Sequence, residues 1–301
     1  ADSWWIASYS ALPTFEKNSS TNPKAQIQEI ETAQDDKQSD EADVDKIVIN
    51  FNTDPVHTLP RGAGPGVLIH TLLEQCGQYG FQTVATSPLL GQQLIKSIFN
   101  QPLWQDKHEI LDNALAQWLR QPLLAGTTTS LADLDNGQYQ TELEFLIGAN
   151  TVSVAQLDAL ISEQTFNALP RPKLAANQIN GLLKGFIDLV FVVDQQYYVA
   201  DYKFNHLGNQ ASVYTTELLT TTMLNKRYDL QSILYLLALH RLLKVRLGEA
   251  YHYDTHVGGC LYLFLRGHQG PAQGRIFYKP PHQLIEELDA MFAGTVTQGD
   301  Q

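Results

Sequence analysis

Apolar residues at Val67, Leu68, Leu72 and Cys76 recur at the spacing of one helix face and predict a helix over 67–79, entered through a turn-rich stretch at 58–66. Further helices are expected across 86–121, with Ser87 as an N-cap candidate. The pattern then changes period. Residues 139–147 alternate polar and apolar, which predicts a strand, and 152–166 return to helical spacing. Residues 186–193 and 197–204 are two strand-like runs joined by Asp194, Gln195 and Gln196, a β-hairpin. Helices follow at 212–224 and 226–247, the second stopped by Gly248; strands are expected at 258–266 and 276–279, and a last helix at 283–293. This order predicts an α/β or α+β chain with a central mixed sheet.

The ends read differently. Residues 1–14 carry Trp4, Trp5, Ile6, Tyr9 and Leu12, too apolar for a free tail, and are expected to dock on the domain. Residues 15–46 hold nine acids, four lysines and almost no large apolar side chain, so they are expected to be a disordered acidic linker. The folded domain is then 47–294, and 295–301 a loose tail.

Composition narrows the function. The 301 residues hold 20 Lys+Arg against 32 Asp+Glu, a net charge of −12. That excludes binding of nucleic acid by overall positive charge. A local exception is 226–282, where Lys226, Arg227, Arg241, Lys244, Arg246, Arg266, Arg275 and Lys279 outnumber three acids and predict a basic strip that could track a phosphate backbone. Cys76 and Cys260 are too few for a disulfide framework or a cysteine metal cluster. No apolar run reaches the ~18 residues of a membrane span, and the start has neither Met nor a signal-peptide pattern. The expectation is a cytoplasmic chain cut from something longer.

The hairpin carries the chemistry. Side chains alternate along a strand, so Asp201 and Lys203 share a face with Tyr202 opposite. A two-residue loop at Asp194 and Gln195 pairs Val193 with Gln196, and counting back along both strands sets Asp188 against Asp201. Paired residues sit about 5 Å apart on one face. Two carboxylates this close repel, and a divalent cation removes that cost. Magnesium takes such carboxylate oxygens in phosphate-cleaving sites, while a lysine can orient water or neutralise developing charge. The competing reading is an exposed hairpin with an ordinary Asp–Lys pair. Glu142 and Glu144 share a strand face that is usually solvated; Glu74 lies one helical turn from His70, and Gln231 one turn from Tyr235.

The spacing of Asp188 to Asp201-Tyr202-Lys203 is similar to the metal-binding signature of PD-(D/E)XK nucleases. The words K-G-F-I-D-L-V-F at 184–191, Y-Y-V-A-D-Y-K at 197–203, R-Y-D-L-Q at 227–231, L-Y-L-L-A-L-H-R at 234–241 and Y-L-F-L-R-G at 262–267 resemble the RecB-like nuclease family, as do P-R-G-A-G-P-G-V-L-I-H at 60–70 and S-Y-S-A-L at 8–12. The resemblance covers the chain outside the linker. It implies an α/β restriction-endonuclease-like core and a Mg²⁺ site of His70, Asp188, Asp201 and the Tyr202 main-chain carbonyl. Lys203 is then the catalytic lysine and Glu142 an acidic strand position supporting the metal; Glu144 is the weaker candidate. Gln231 and Tyr235 match a motif that helps position DNA. Phe204 departs from the small polar residue the family often has after its lysine, with packing consequences expected.

By the same resemblance the substrate is single-stranded DNA in double-strand-break repair and homologous recombination, with RecC-like and RecD-like partners and the recombinase RecA. No G-x-x-x-x-G-K-[ST] phosphate loop occurs, so unwinding must lie in sequence not present. Two rivals stand beside a nuclease: a protein-binding module for loading RecA, and a structural nuclease-like domain without activity, against which the intact Asp188, Asp201 and Lys203 speak.

Overall fold

The computed structural model describes residues 5–8 and 54–294. The expected linker at 15–46 and tail at 295–301 lie outside them, as does most of 1–14. Among the described residues the chain runs β1 (Trp5–Ser8), α1 (Ala63–Tyr79), α2 (Phe81–Thr86), α3 (Pro88–Ile98), α4 (His108–Arg120), β2 (Tyr139–Ser153), α5 (Val154–Gln164), β3 (Gln178–Val193), β4 (Gln196–Lys203), α6 (Thr216–Asn225), α7 (Tyr228–Leu247), α8 (Tyr253–His256), β5 (Val257–Phe264), β6 (Arg275–Tyr278) and α9 (His282–Ala293).

β3 is the spine of one mixed sheet. β2 runs antiparallel along one edge of it. The other edge is shared: β1 pairs parallel from Gly181 to Lys184, and β4 pairs antiparallel from Leu189 to Val193. Beyond β4 the order continues through parallel β5 to antiparallel β6. β5 is buried at every position, as a central strand with both faces covered must be. The α/β class with a helix-flanked mixed sheet is the one expected.

Helices cover both faces. One core joins α1–α4 to Leu189, Phe191, Ala200, Tyr202, Leu261 and Leu263. The other joins α5–α9 to Ile187, Val190, Val199, Cys260, Tyr262 and Phe264. The alternation of β4 is regular: Ala200, Tyr202 and Phe204 pack under α1–α4, leaving Asp201 and Lys203 for the α7 side. Phe204 stacks its ring under the Arg266 guanidinium, 3.9 Å away, so the unusual residue after the lysine serves packing.

Several boundaries differ from the sequence reading. α1 begins at Ala63, inside the Gly/Pro-rich entry, because Pro65 falls in the first turn, where backbone N–H groups have no helical partner anyway. Ser87 occupies the N-cap of α3, but its side chain makes no capping hydrogen bond. β3 starts at Gln178, its first half hidden by Asn180, Gly181 and Gly185. α6 begins at Thr216, capped by the Thr215 hydroxyl, after a 3-10 turn at Ala211–Val213. Gly248 ends α7 at φ 55°, as expected.

The hairpin register is the one inferred, with Val193 on Gln196 and Leu189 on Ala200. Asp194 and Gln195 both have positive φ, 50° and 65°, the hand that matches strand twist in a two-residue turn.

Candidate active site

The ladder between β3 and β4 stops one residue short of Asp188. Asp188 therefore falls in the gap on β3 between the end of the β4 pairing and the start of the β1 pairing. β3 changes faces there: Ile187 belongs to the core under α7, Leu189 to the core under α1. β2 does the same opposite it. Glu142 has φ 47°, a left-handed conformation uncommon for a non-glycine residue, and the β2–β3 pairing skips from Thr141–Leu189 to Leu143–Ile187. Backbone strain of this kind concentrates at functional sites. Here it releases two carboxylates from the ladder.

Asp188 is met by the backbone of β4 and by a side chain of α1. Its Oδ2 accepts the Tyr202 N–H at 2.7 Å and lies 3.4 Å from His70 Nδ1 on α1. α1 can come this close because Gly77 packs on β2; a Cβ there would meet Thr141 Cγ2 and the Phe81 ring. Asp201 is 1 % exposed, with Oδ2 3.0 Å from Lys203 Nζ. Lys203 Nζ in turn sits 4.1 Å from the centre of the Tyr228 ring and 5.8 Å from that of Tyr262, cation–π contacts that help to hold it.

Behind Asp201 lies a chain of hydrogen bonds from α7. The Tyr235 hydroxyl donates to Asp201 Oδ1 at 3.4 Å and accepts from Gln231 Nε2 at 2.7 Å; Gln231 Oε1 is 2.8 Å from the Tyr262 hydroxyl. Gln231 and Tyr235 are 4 % and 2 % exposed. Both are enclosed: Tyr235 meets Asp201, and Gln231 meets Tyr235 and Tyr262, so the expected help in positioning DNA would pass through Asp201. The helical spacing was read rightly, but a Q-x-x-x-Y pattern does not tell which face of a helix buried all round carries it. Tyr228 and Tyr262 were missed, since aromatics in an apolar run carry no chemical signal of their own.

The electrostatics follow from burial and crowding. Burial acts to raise Asp188, but the charge and hydrogen bond of His70 and the Tyr202 N–H outweigh it and hold the carboxyl below its usual range. Burial acts to lower His70, and Asp188 overrides it, raising the imidazole to about 9. Asp201 is pushed up to about 7 by burial and by Asp188, against the pull of Lys203. Glu142 is pushed up to about 7 by burial, then by Asp188 and Glu74. Glu142 therefore faces the cluster, and Glu74 contributes charge from α1 while accepting from Gln78. Glu144 turns away to pair with Lys184 at 3.2 Å.

Asp201 Oδ2 is buried and accepts no hydrogen bond of good geometry. A hard divalent cation fits this set: it would take up that oxygen and cancel the repulsion among Asp188, Asp201 and Glu142, with His70 as a nitrogen donor. The Tyr202 side chain lies on the far face, and its N–H is engaged with Asp188, which orients the peptide.

Much of the charge in the expected basic strip is spent within the protein, although Lys244 and Arg246 stay exposed. Arg227 is buried against Asp158 at 2.6 Å and Asp229 at 3.1 Å. Arg266 is 0 % exposed and donates to the carbonyls of Phe204, Val56, Leu59 and Pro60. Arg241 and Lys244 face Asp289, Arg275 donates to the Pro122 carbonyl, and Lys279 to that of Asp254. Charge counted along the sequence does not show how much of it the fold consumes.

Comparison with known proteins agrees with this geometry. Residues 53–299 match the model of the PD-(D/E)XK nuclease superfamily. The chain is 38% identical over 244 residues to the RecBCD enzyme subunit RecB of Escherichia coli (strain K12), covering 79% of this chain and 20% of that protein. It is 33% identical over 271 residues to the RecB subunit of Haemophilus influenzae, 87% of this chain and 21% of that protein. With the RecB subunit of Mycobacterium tuberculosis (strain ATCC 25618 / H37Rv) it shares 31% identity over 273 residues, 78% of this chain and 24% of that one. The chain thus spans about a fifth to a quarter of the length of the curated relatives it matches. With the matched family model covering β2 to β6 and the helices around them, the chain belongs to the PD-(D/E)XK nuclease superfamily.

Proposed function

We propose that this chain is the nuclease part of a RecB-type enzyme, a Mg²⁺-dependent deoxyribonuclease that hydrolyses phosphodiesters of single-stranded DNA during double-strand-break repair and homologous recombination. The observation that carries it is the meeting of His70, Asp188, Asp201 and Lys203, with Glu142 beside them, at the point where β3 leaves its ladder. His70, Asp188, Asp201 and the Tyr202 carbonyl are the residues that would hold the cation, with Glu142 in support. The bound ion supplies Lewis acidity at the phosphate and lowers the pKa of water.

The remaining roles belong to the protein. Lys203 Nζ, fixed between Asp201 and the Tyr228 ring, orients the attacking water and neutralises charge on the phosphate oxygens. Tyr235 and Gln231 hold Asp201 in its rotamer. The Tyr202 N–H holds Asp188. In the relatives' setting the strand would be delivered by motor domains outside this sequence, within an assembly of RecC-like and RecD-like chains in the cytoplasm, with RecA as a further partner. Among the described residues no helix is long and apolar enough to cross a membrane.

The test is cleavage of end-labelled single-stranded DNA with Mg²⁺. Wild type degrades it, a chelator stops it, and Asp201→Ala lowers the rate by at least ~10³-fold, the scale of removing a principal stabiliser of transition-state charge. Equal degradation by wild type and Asp201→Ala overturns the assignment.

A further inference from the structure

A second cluster of metal-ligating side chains lies between α7 and α9, built from residues that the active site does not use. His240, on α7, is 0 % exposed. Its Nδ1 is 2.8 Å from the Tyr251 hydroxyl. Its Nε2 is buried and makes no hydrogen bond. That nitrogen points at α9, where Glu286 Oε1 stands 3.6 Å away and Asp289 Oδ2 3.9 Å away. The ligand atoms of His240, Glu286 and Asp289 all lie within 4.8 Å of one another.

α9 contributes a fourth donor. His282, Glu286 and Asp289 follow one another at four and three residues and so share a helix face. His282 Nε2 is 3.1 Å from Glu286 Oε1. Its ring is stacked on Tyr253, centroids 5.0 Å apart and planes 6° apart, which fixes its direction.

We propose that His240, His282, Glu286 and Asp289 form a second metal site, selective for a borderline transition ion such as Zn²⁺, that clamps α9 onto α7. Metal–nitrogen and metal–oxygen bonds of ~2.0–2.1 Å in a tetrahedral site set neighbouring donors about 3.3 Å apart. The separations of 3.6 and 3.9 Å from His240 need only a small closure to reach that, while His282, 3.1 Å from Glu286 but outside the 4.8 Å grouping of the other three, must shift further to join them. Two imidazoles with two carboxylates suit zinc, cobalt, nickel or copper, whereas magnesium prefers oxygen donors. The Tyr251 hydroxyl on Nδ1 is the outer partner that a metal-binding imidazole ordinarily has, leaving Nε2 as the ligating atom. Burial lowers the His240 pKa and favours the neutral imidazole, the form that can ligate a metal.

The competing arrangement is an ion-pair network. Lys244 Nζ stands 3.7 Å from Glu286 Oε2 and 3.6 Å from Asp289 Oδ2. Its side chain is 51% exposed and can swing into water. Arg241 occupies Asp289 Oδ1 at 2.6 Å and leaves Oδ2 to the cluster.

The site is independent of the nuclease reading, and its test reads metal directly. The 301-residue chain is titrated with Co²⁺, followed by visible absorption, and with Zn²⁺, followed by calorimetry and thermal unfolding. Wild type and Asp188→Ala are expected to develop the intense tetrahedral Co²⁺ band and to gain thermal stability with Zn²⁺. Glu286→Gln and His282→Ala, both at half-exposed positions, should lose the band and bind Zn²⁺ at least tenfold more weakly, with Mg²⁺-dependent cleavage unchanged. The proposal is overturned if these two variants show the wild-type band and Zn²⁺ affinity, or if wild type shows neither band nor stabilisation.

Discussion

Asp201 depends on a hydroxyl that never leaves the interior. Tyr235→Phe removes the donor to Asp201 Oδ1 and the acceptor of Gln231 while keeping the ring against Phe145. Because the residue positions a carboxylate and does not meet the strand, kcat should fall about tenfold with KM for DNA unchanged. Steady-state kinetics on oligonucleotides checks this, and a raised KM with normal kcat would return Tyr235 to the DNA surface. A second residue-scale prediction concerns His57, 1 % exposed with both ring nitrogens lacking hydrogen bonds. Burial, helped by Arg266, lowers its pKa from 6.5 to about 4. A depressed histidine stabilises the fold fully above pH 6.5, and that contribution is lost as pH falls from 6.5 towards 4, where the unfolded chain binds the extra proton. His57→Phe has no such proton to bind. Its melting temperature should rise relative to wild type, with the gap widening between pH 7 and pH 5 by an amount on the order of 1 kcal/mol after allowing for partial solvent access. Unfolding scans at the two pH values decide it.

Residues of this kind mark the limit of what the sequence discloses. Asp188, Asp201 and Lys203 could be brought together by counting along a hairpin, because a two-residue turn leaves only one register. His70 could not be placed from its own helix; only its neighbours in the family-like word pointed to it. The break at Glu142 was invisible, since nothing in Y-Q-T-E-L-E-F-L-I forecasts a left-handed residue within an alternating strand.

The elements were legible where their period was clean. The hairpin, α7 and α9 fell close to their expected bounds, whereas nothing in the glycine-bearing first half of β3 announces a strand. The face each helix turns to the sheet was harder. α7 buries thirteen of its twenty residues, so its polar positions give no direction. α1 shows how one element tunes the site. Gly77→Ala would push a methyl group into Thr141 Cγ2 and the Phe81 ring, at a cost of about 1–3 kcal/mol. The helix should move off β2 and carry His70 away from Asp188, so that metal-dependent activity falls further than the melting temperature suggests. Adding Thr141→Ser removes the opposing methyl and should restore both, a coupling that a double-mutant cycle measures.

For the molecule as a whole, charge is the revealing quantity. The chain carries −12 overall, and six of the eight cations in 226–282 are engaged with carboxylates or carbonyls of the protein. Little remains to displace counterions from a strand. The isolated chain should therefore bind single-stranded DNA weakly, with a slope of log K against log salt no steeper than about −3, corresponding to roughly four phosphate contacts. Fluorescence anisotropy across a salt series tests this, and a much steeper slope would reveal a basic track that the internal pairing of these side chains does not predict.

The turn at Asp194 and Gln195 touches none of the catalytic groups, yet it sets which of them meet. Its two side chains are free to drift through evolution, since any pair tolerating the left-handed conformation preserves the hairpin, and Asn-Gly would do so with less strain. Its length has no such freedom. One inserted or deleted residue would send alternate side chains of β4 to the wrong layer, burying Asp201 among leucines and presenting Tyr202 in its place. Mutational scanning of this chain should accordingly find a position that is permissive to substitution and lethal to indels, a signature distinct from that of any residue in the catalytic cluster.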